Sequence, residues 1–189
     1  MKVKLAEATI DDKDIDELVD WLKTYPRLTK GNLTLAFESK WSRYLGVEHS
    51  IFVNSGSSAN LLMLATLMEA GDLEPGDSVI VPALSWATDL APVMQLGLKP
   101  LLCDCNTSDY SVDLDHFLDL IKNGVIEKDI SGAKIRHRPK AAILVPVLGL
   151  APNMEYISDI CKKNKVILLE DCCEALGSEY KGQKLGTFG

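Results

Sequence analysis

Three stretches of this sequence set polar or aromatic residues where a strand-forming run gives way to a helix-forming one. The first is Asn54-Ser55-Gly56-Ser57-Ser58-Ala59-Asn60. Gly56 permits close backbone approach, and Ser57 and Ser58 place hydroxyls beside the free N–H groups of a starting helix, which is a way to cradle a phosphate. The same residues would serve equally as an ordinary N-cap on a tight turn. The stretch is neither a Walker A loop nor a G-x-G-x-x-G fingerprint, so nucleoside triphosphate and dinucleotide readings lose support. The second stretch is Pro82-Ala83-Leu84-Ser85-Trp86-Ala87-Thr88. Its indole offers a face to a flat ring, or closes the edge of the sheet as core. The third, Glu170-Asp171-Cys172-Cys173-Glu174-Ala175, puts two acids at the end of the apolar run Val166-Ile167-Leu168-Leu169. A carboxylate there can hold a proton on the ring nitrogen of a cofactor, or cap a helix or pair with a surface cation. Ligands of open α/β sheets bind outside the carboxyl ends of the strands, so the three stretches can belong to one site. An anion cradle, a stacking surface and an acid are what pyridoxal phosphate requires to act as an electron sink.

The elements that would carry these stretches alternate along the chain. Ile15, Leu18, Val19 and Leu22 follow helical spacing, and Tyr25-Pro26 ends that helix. A second helix is expected over residues 33–45, with Phe37, Trp41, Tyr44 and Leu45 on one face and Gly46 at its stop. A strand over 50–53 then leads to an apolar helix over 57–70, which reads as buried because it is apolar nearly all round. Strands follow at 78–81, 100–105, 141–146 and 166–171, with helices at 86–96, 114–121 and 154–163. The polar, basic stretch 123–139 reads as a loop or excursion, and 178–185 as a hairpin with a Lys-Gly turn. Strands alternating with helices predict an α/β fold: three α/β/α layers around a mostly parallel sheet, within one domain over residues 1–189.

Composition narrows the partners. The 189 residues are 47% hydrophobic and 25% charged, enough apolar content for a substantial core. Lys and Arg total 20 against 27 Asp and Glu, a net charge of −7, which argues against nucleic acid as a partner. The reading also places no membrane span and no signal peptide here. Five cysteines, an odd number, are read as reduced thiols of a cytoplasmic protein rather than a disulfide framework.

The order and spacing of several motifs now carry a resemblance. They are Leu33-Thr34-Leu35-Ala36-Phe37-Glu38, Val53-Asn54-Ser55-Gly56-Ser57-Ser58-Ala59, Pro75-Gly76-Asp77-Ser78-Val79-Ile80-Val81-Pro82, and Glu170-Asp171. From about residue 28 to 189 the chain resembles the nucleotide-sugar aminotransferase and dehydrase family, the DegT/StrS group of fold type I pyridoxal-phosphate enzymes. The resemblance implies that Gly56 and Ser57 hold the cofactor phosphate, that Trp86 stacks on its ring and that Asp171 pairs with the ring nitrogen. Glu174 lies where aminotransferases of the family carry Gln, near the ring hydroxyl. The stretches 54–60, 170–178 and 186–189 look closest to the 3-dehydrase branch, which removes the C3 hydroxyl of a nucleotide-linked 4-keto-6-deoxy sugar using pyridoxamine phosphate, with His in place of the Schiff-base Lys. That implies a role in deoxysugar or surface-polysaccharide biosynthesis and a homodimer. A sugar aminotransferase, and a non-catalytic truncated module, are the alternatives.

In the family the catalytic Lys or His follows the Gly186-Thr187-Phe188-Gly189 segment, so the chain reads as the first half of such an enzyme, with the small C-terminal domain absent, and no catalytic residue is assigned. Some members carry an iron–sulfur cluster, and Cys173 matches a ligand position, but Cys172 and Cys173 are read here as core thiols and no metal site is assigned. Cys103 and Cys105 likewise read as core. His49, His116 and His137 read as surface residues. The basic run 128–140 reads as a solvated loop.

Overall fold

A computed structural model describes residues 8–189, which fall into two compact units, residues 8–44 with 48–52 and residues 45–47 with 53–189. The first unit holds helix α1 (Asp12–Leu22) and most of helix α2 (Asn32–Leu45). A capping box starts α1: the Asp11 carboxylate accepts from the Asp14 N–H, and Asp14 returns the bond to Asp11. The expected apolar stripe forms, yet Ile15, Leu18, Val19 and Leu22 all remain exposed. On α2 the rings of Phe37, Trp41 and Tyr44 follow one another at centroid distances of 5.9 and 5.3 Å, as their spacing predicts. The strand expected over 50–53 is not formed. The Phe52 N–H donates to the Glu38 carboxylate at 2.9 Å, the Phe52 ring meets Phe37 edge-on, and no strand ladder competes for this backbone.

The second unit begins with helix α3 (Gly56–Glu69). It continues through strand β1 (Ser78–Pro82), helix α4 (Ala87–Gln95), strand β2 (Lys99–Cys103) and helix α5 (Leu114–Asn123). Strands β3 (Val125–Lys128), β4 (Lys134–His137) and β5 (Pro139–Leu144) follow, then helix α6 (Met154–Asn164) and strand β6 (Ile167–Glu170). Four strands form one parallel sheet in the order β2-β1-β5-β6.

Alternation along the strands sorts the core into two layers. Val79, Val81, Ala141 and Ile143 face one way, against Leu64 of α3 and Val93 of α4. Ile80, Leu101, Ala142, Leu144 and Leu168 face the other way, against Phe117 of α5 and Met154, Ile157 and Cys161 of α6. Both faces of the sheet are therefore covered, and the three-layer α/β/α reading holds. From β1 the chain steps outward to β2, then returns past β1 to β5 and continues to β6. The adjacent strands β1 and β5 thus flank a topological switch point, where open sheets of this kind bind ligands.

Three local expectations need correction. Helix α3 is not buried all round: only Asn60 and Leu64 are buried, and Leu61 and Leu62 are exposed. The stretch 123–139 is a β-hairpin, with β3 and β4 antiparallel in the register Val125↔His137 to Lys128↔Lys134. Its turn is closed by the Asp129 carboxylate, which accepts from the Ser131 hydroxyl at 2.6 Å and the Ala133 N–H at 2.9 Å. Strand β2 stops at Cys103, and Cys105 makes only an isolated bridge to Val112. The closing hairpin does form, as β7 (Glu179–Tyr180) and β8 (Gln183–Lys184), with Lys181 and Gly182 at φ of 50° and 82° as a type I′ turn requires.

Glu170, the last residue of β6, organises the segment after that hairpin. One carboxylate oxygen accepts from the Phe188 and Gly189 N–H groups at 2.6 and 2.9 Å, and the other from Gly186 at 2.8 Å. Hydrogen bonds to a charged acceptor are stronger than neutral ones. Replacing Glu170 with Ala is expected to destabilise the chain by about 2 kcal/mol. Hydrogen exchange should accelerate at the amides of Gly186, Phe188 and Gly189 ahead of those in β5, and uniform acceleration would contradict this local role.

Candidate functional site

The site is assembled around the carboxyl ends of β5 and β6. Just past β6, the Asp171 N–H donates to the Leu144 carbonyl at 2.9 Å, which carries the strand pairing one residue further. This fixes where the Asp171 side chain leaves the sheet. Its Oδ1 accepts from the Cys173 N–H at 3.0 Å, and its Oδ2 accepts from Asn60 Nδ2 at 2.7 Å. Asn60 lies one turn into α3 and is 3% exposed. The same Nδ2 also reaches Asp89 Oδ1 at 3.0 Å and the Thr88 carbonyl at 3.3 Å, both in the first turn of α4. One amide therefore joins the starts of two helices to the end of β6.

The residues singled out in the sequence sit on these joined elements. Ser55 N-caps α3 through the Ser58 N–H at 3.1 Å. The N–H groups of Gly56 and Ser57 find no acceptor among the described residues. A Cβ built on Gly56 would meet nothing within 4 Å, so the approach to these donors is open. Trp86 is the N-cap residue of α4 without a side-chain cap bond, and it is 77% exposed. That sets aside the core reading of its indole and leaves the ring faces available. Gly56, Ser57, Trp86 and Asp171 are thus carried by elements that converge on Asn60.

Glu174 has a different setting. Its Oε2 accepts from the Leu148 N–H at 2.7 Å, which ties the segment after β6 to the turn after β5. Leu148 has φ of 55°, a left-handed conformation that costs free energy and must be held by its surroundings. Gly149 follows at φ +73°, and a Cβ there would come within 2.8 Å of Ser178 Oγ and 3.0 Å of the Glu174 carbonyl, so only glycine fits.

The electrostatics divide the two acids. Asp89, 1% exposed, has its carboxyl pushed up to about 7, first by burial and then by the Asp171 charge. The Ser85 hydroxyl and the Trp86 N–H pull it partly back. Burial also pushes Asp171 up, but hydrogen bonds from Asn60 and Cys173 prevail and hold it below the usual aspartate value. The core reading holds in part for Cys172, which is half-buried against the α5–α6 layer, and fails for Cys173, which is exposed. Partial burial, and then neighbouring carboxylates, push their thiols up to about 12 and about 11. Cys103 and Cys161 are buried core thiols, as expected of Cys103, whereas Cys105 lies beyond the end of β2, is only half-buried and belongs to neither core layer. Among the described residues no group of three His, Cys, Asp or Glu side chains is arranged to hold a metal ion. His49 is at the surface. The other two histidines are partly enclosed: His116 Nδ1 accepts the Asp104 N–H at 3.1 Å, and His137 lies 3.1 Å from Lys99 Nζ.

The sequence reading assigned no role to Asn60 or Asp89. Each is a polar residue inside a mainly apolar helix, one turn from a residue that it did single out.

This architecture is that of the large domain of fold type I pyridoxal-phosphate enzymes. The profile of the DegT/DnrJ/EryC1/StrS aminotransferase family matches residues 9–189, and the chain belongs to that family. The lipopolysaccharide biosynthesis protein RfbH of Salmonella typhimurium is 39% identical over 166 residues, 86% of this chain and 35% of that one. A GDP-4-keto-6-deoxy-D-mannose 3-dehydratase of Yersinia pseudotuberculosis is 32% identical over 187 residues, 98% of this chain and 44% of its own length. The solved Escherichia coli GDP-4-keto-6-deoxy-D-mannose-3-dehydratase with bound hydrated PLP superposes with a TM-score of 0.82 at 30% identity, covering 98% of this chain and 44% of that one. The chain spans less than half the length of these relatives.

Two outcomes follow from the shared amide. An Asn60→Leu exchange removes a donor from both acids and should cost about 2–4 kcal/mol at pH 7, read by urea denaturation. Asp89 titrates higher when folded than its ordinary 3.8, so the folded chain binds the extra proton and its stability falls as pH rises from about 4 through about 7. Asp89→Asn should remove that fall and leave the variant the more stable form at pH 8. An unchanged slope would refute the assignment.

Proposed function

We propose that this chain is the cofactor-binding portion of a pyridoxal- or pyridoxamine-phosphate enzyme acting on a nucleotide-linked 4-keto-6-deoxy sugar, in the manner of a 3-dehydrase. The observation that carries the reading is the convergence of an open helix N-terminus, an exposed indole and an ionised Asp171 on elements joined by Asn60. These residues fit the cofactor. The free N–H groups of Gly56 and Ser57 suit a phosphate. The Trp86 face suits an aromatic ring. Asp171, kept anionic by its two N–H donors, suits a protonated ring nitrogen. Bound there, the cofactor would supply an electron sink for breaking bonds next to the substrate carbonyl. The chain's own part is to anchor the phosphate, to orient the ring and to keep the ring nitrogen charged.

Glu174 is placed by this reading toward the ring hydroxyl. Its Oε2 already fixes Leu148, and its second oxygen has no hydrogen bond among the described residues. The dehydrase branch is favoured because the Yersinia relative and the Escherichia coli structure bear that activity in their names. The family name supports a sugar aminotransferase as the second reading. The reading extends to biosynthesis of deoxysugars or surface polysaccharides, a homodimer and a cytoplasmic setting. It includes neither nucleic acid nor membrane as a partner; the net charge of −7 disfavours the former. Among the described residues no helix is long and apolar enough to cross a membrane.

Titration of the chain with pyridoxal phosphate, followed by absorbance and by quenching of tryptophan fluorescence, tests the reading. Saturable binding is expected, weakened at least about tenfold by Asp171→Ala, the equivalent of about 1.4 kcal/mol. Absence of binding, or equal binding by the variant, would leave the chain as a non-catalytic module.

A further inference from the structure

The two acids beside Asn60 share a donor but not an environment. Asp89 Oδ1 and Asp171 Oδ2 lie 3.0 and 2.7 Å from the same Nδ2. Asp89 is enclosed at 1% exposure, whereas Asp171 is only partly covered. The groups facing Asp89 are few. From α3 there is the Asn60 amide, and from the turn before α4 the Ser85 hydroxyl and the Trp86 N–H. From the segment after β6 there are the Asp171 carboxylate and the Cys173 thiol. No Lys, Arg or His forms an ion pair with either acid among the described residues. Two carboxylates that share one donor and have no cation resist being ionised together, so below neutrality one of them keeps a proton. Asp171 has the Asn60 and Cys173 donors and the greater contact with solvent, so it keeps the charge. The enclosed Asp89 keeps the proton.

We infer that Asp89 is a positioning residue that holds a proton beside Asp171 while the site is empty and gives it up when a cationic ring nitrogen is bound by Asp171. The inference rests on the cofactor reading above. In the empty site the protonated Asp89 donates to the Asp171 carboxylate and the pair carries one negative charge. In the filled site the Asp89 O–H bond breaks. The proton passes through the Asp171 carboxylate to the ring nitrogen if that nitrogen arrives neutral, or to water if it already carries a proton. Either way the N–H cation faces two carboxylates, and the positive charge lowers the cost of ionising the enclosed acid. The upward displacement of Asp89 in the empty site agrees with this assignment. A merely structural Asp89 would show no such exchange of protons.

Two measurements on the full chain test it. Without ligand, a carbon-13 carboxyl titration by NMR should show an Asp89 midpoint near neutrality, with Asp171 below the ordinary aspartate range. Asp89→Asn should remove the first and keep the second. An Asp89 midpoint at about 4, the ordinary value, overturns the inference whether or not any cofactor binds. Next, pyridoxal phosphate is titrated into wild type and Asp89→Asn by calorimetry at pH 6.5, in buffers of different ionisation heat. Wild type should release about three-quarters of a proton more per site than the variant. Its affinity relative to the variant should rise about tenfold between pH 6 and pH 8. Equal proton counts overturn the inference. If pyridoxal phosphate binds neither protein, the cofactor reading fails and the release step with it, while the carboxyl titration still decides where the proton resides.

Discussion

The site depends on one side-chain amide. Asn60 has two N–H bonds to give, and three oxygens lie within reach: one on the Thr88 carbonyl, one on Asp89 and one on Asp171. Each belongs to the start of a helix or the end of a strand. A buried amide of this kind is costly unless satisfied, and the same cost makes it specific. It is satisfied by the meeting of α3, α4 and the β6 end. Those are the elements whose ends bear the free N–H groups of Gly56 and Ser57, the Trp86 indole and the Asp171 carboxylate. The apolar layers fix the helices against the sheet, and the amide fixes their starts against one another.

The sheet supplies what a hydrogen bond cannot. The short apolar runs of β1 and β5 are buried on both faces, β6 at the edge is buried at Leu168 and half-buried elsewhere, and their carboxyl ends line up because parallel pairing sets the register: Leu144 lies opposite Glu170, and Asp171 bonds back to Leu144. Consecutive residues then divide their work. Glu170 gathers the Gly186, Phe188 and Gly189 amides, and Asp171 turns to Asn60. Adjacent acids at a strand end can serve two purposes because neighbouring side chains of a strand leave it on opposite sides.

Much of this was readable in the residues, and the failures have physical causes. The four sheet strands announce themselves as continuous apolar runs, and the Lys181-Gly182 turn by the residue types that tolerate positive φ. The β3–β4 hairpin was hidden because its strands are exposed and charged. Its cue was the Asp129 turn, which local chemistry closes without apolar alternation. Residues 50–53 have strand composition, but their backbone is not drawn into a ladder and Phe52 turns to Glu38 instead. Helix α3 looked uniformly buried because composition cannot distinguish a covered leucine from the exposed Leu61 and Leu62. The family resemblance named the groups that would touch a cofactor. It was silent on Asn60 and Asp89, whose roles come from a long-range meeting of α3, α4 and the β6 end.

The left-handed pair at Leu148 and Gly149 has a mechanical consequence. Glu174 grips the Leu148 amide from the segment after β6, and the Gly149 backbone sits against Ser178 and Glu174 with no room for a side chain. The two strand-end loops are therefore hinged together as one lip. Any push that lifts the rim beyond β5 also tilts the rim beyond β6, the rim that bears Asp171.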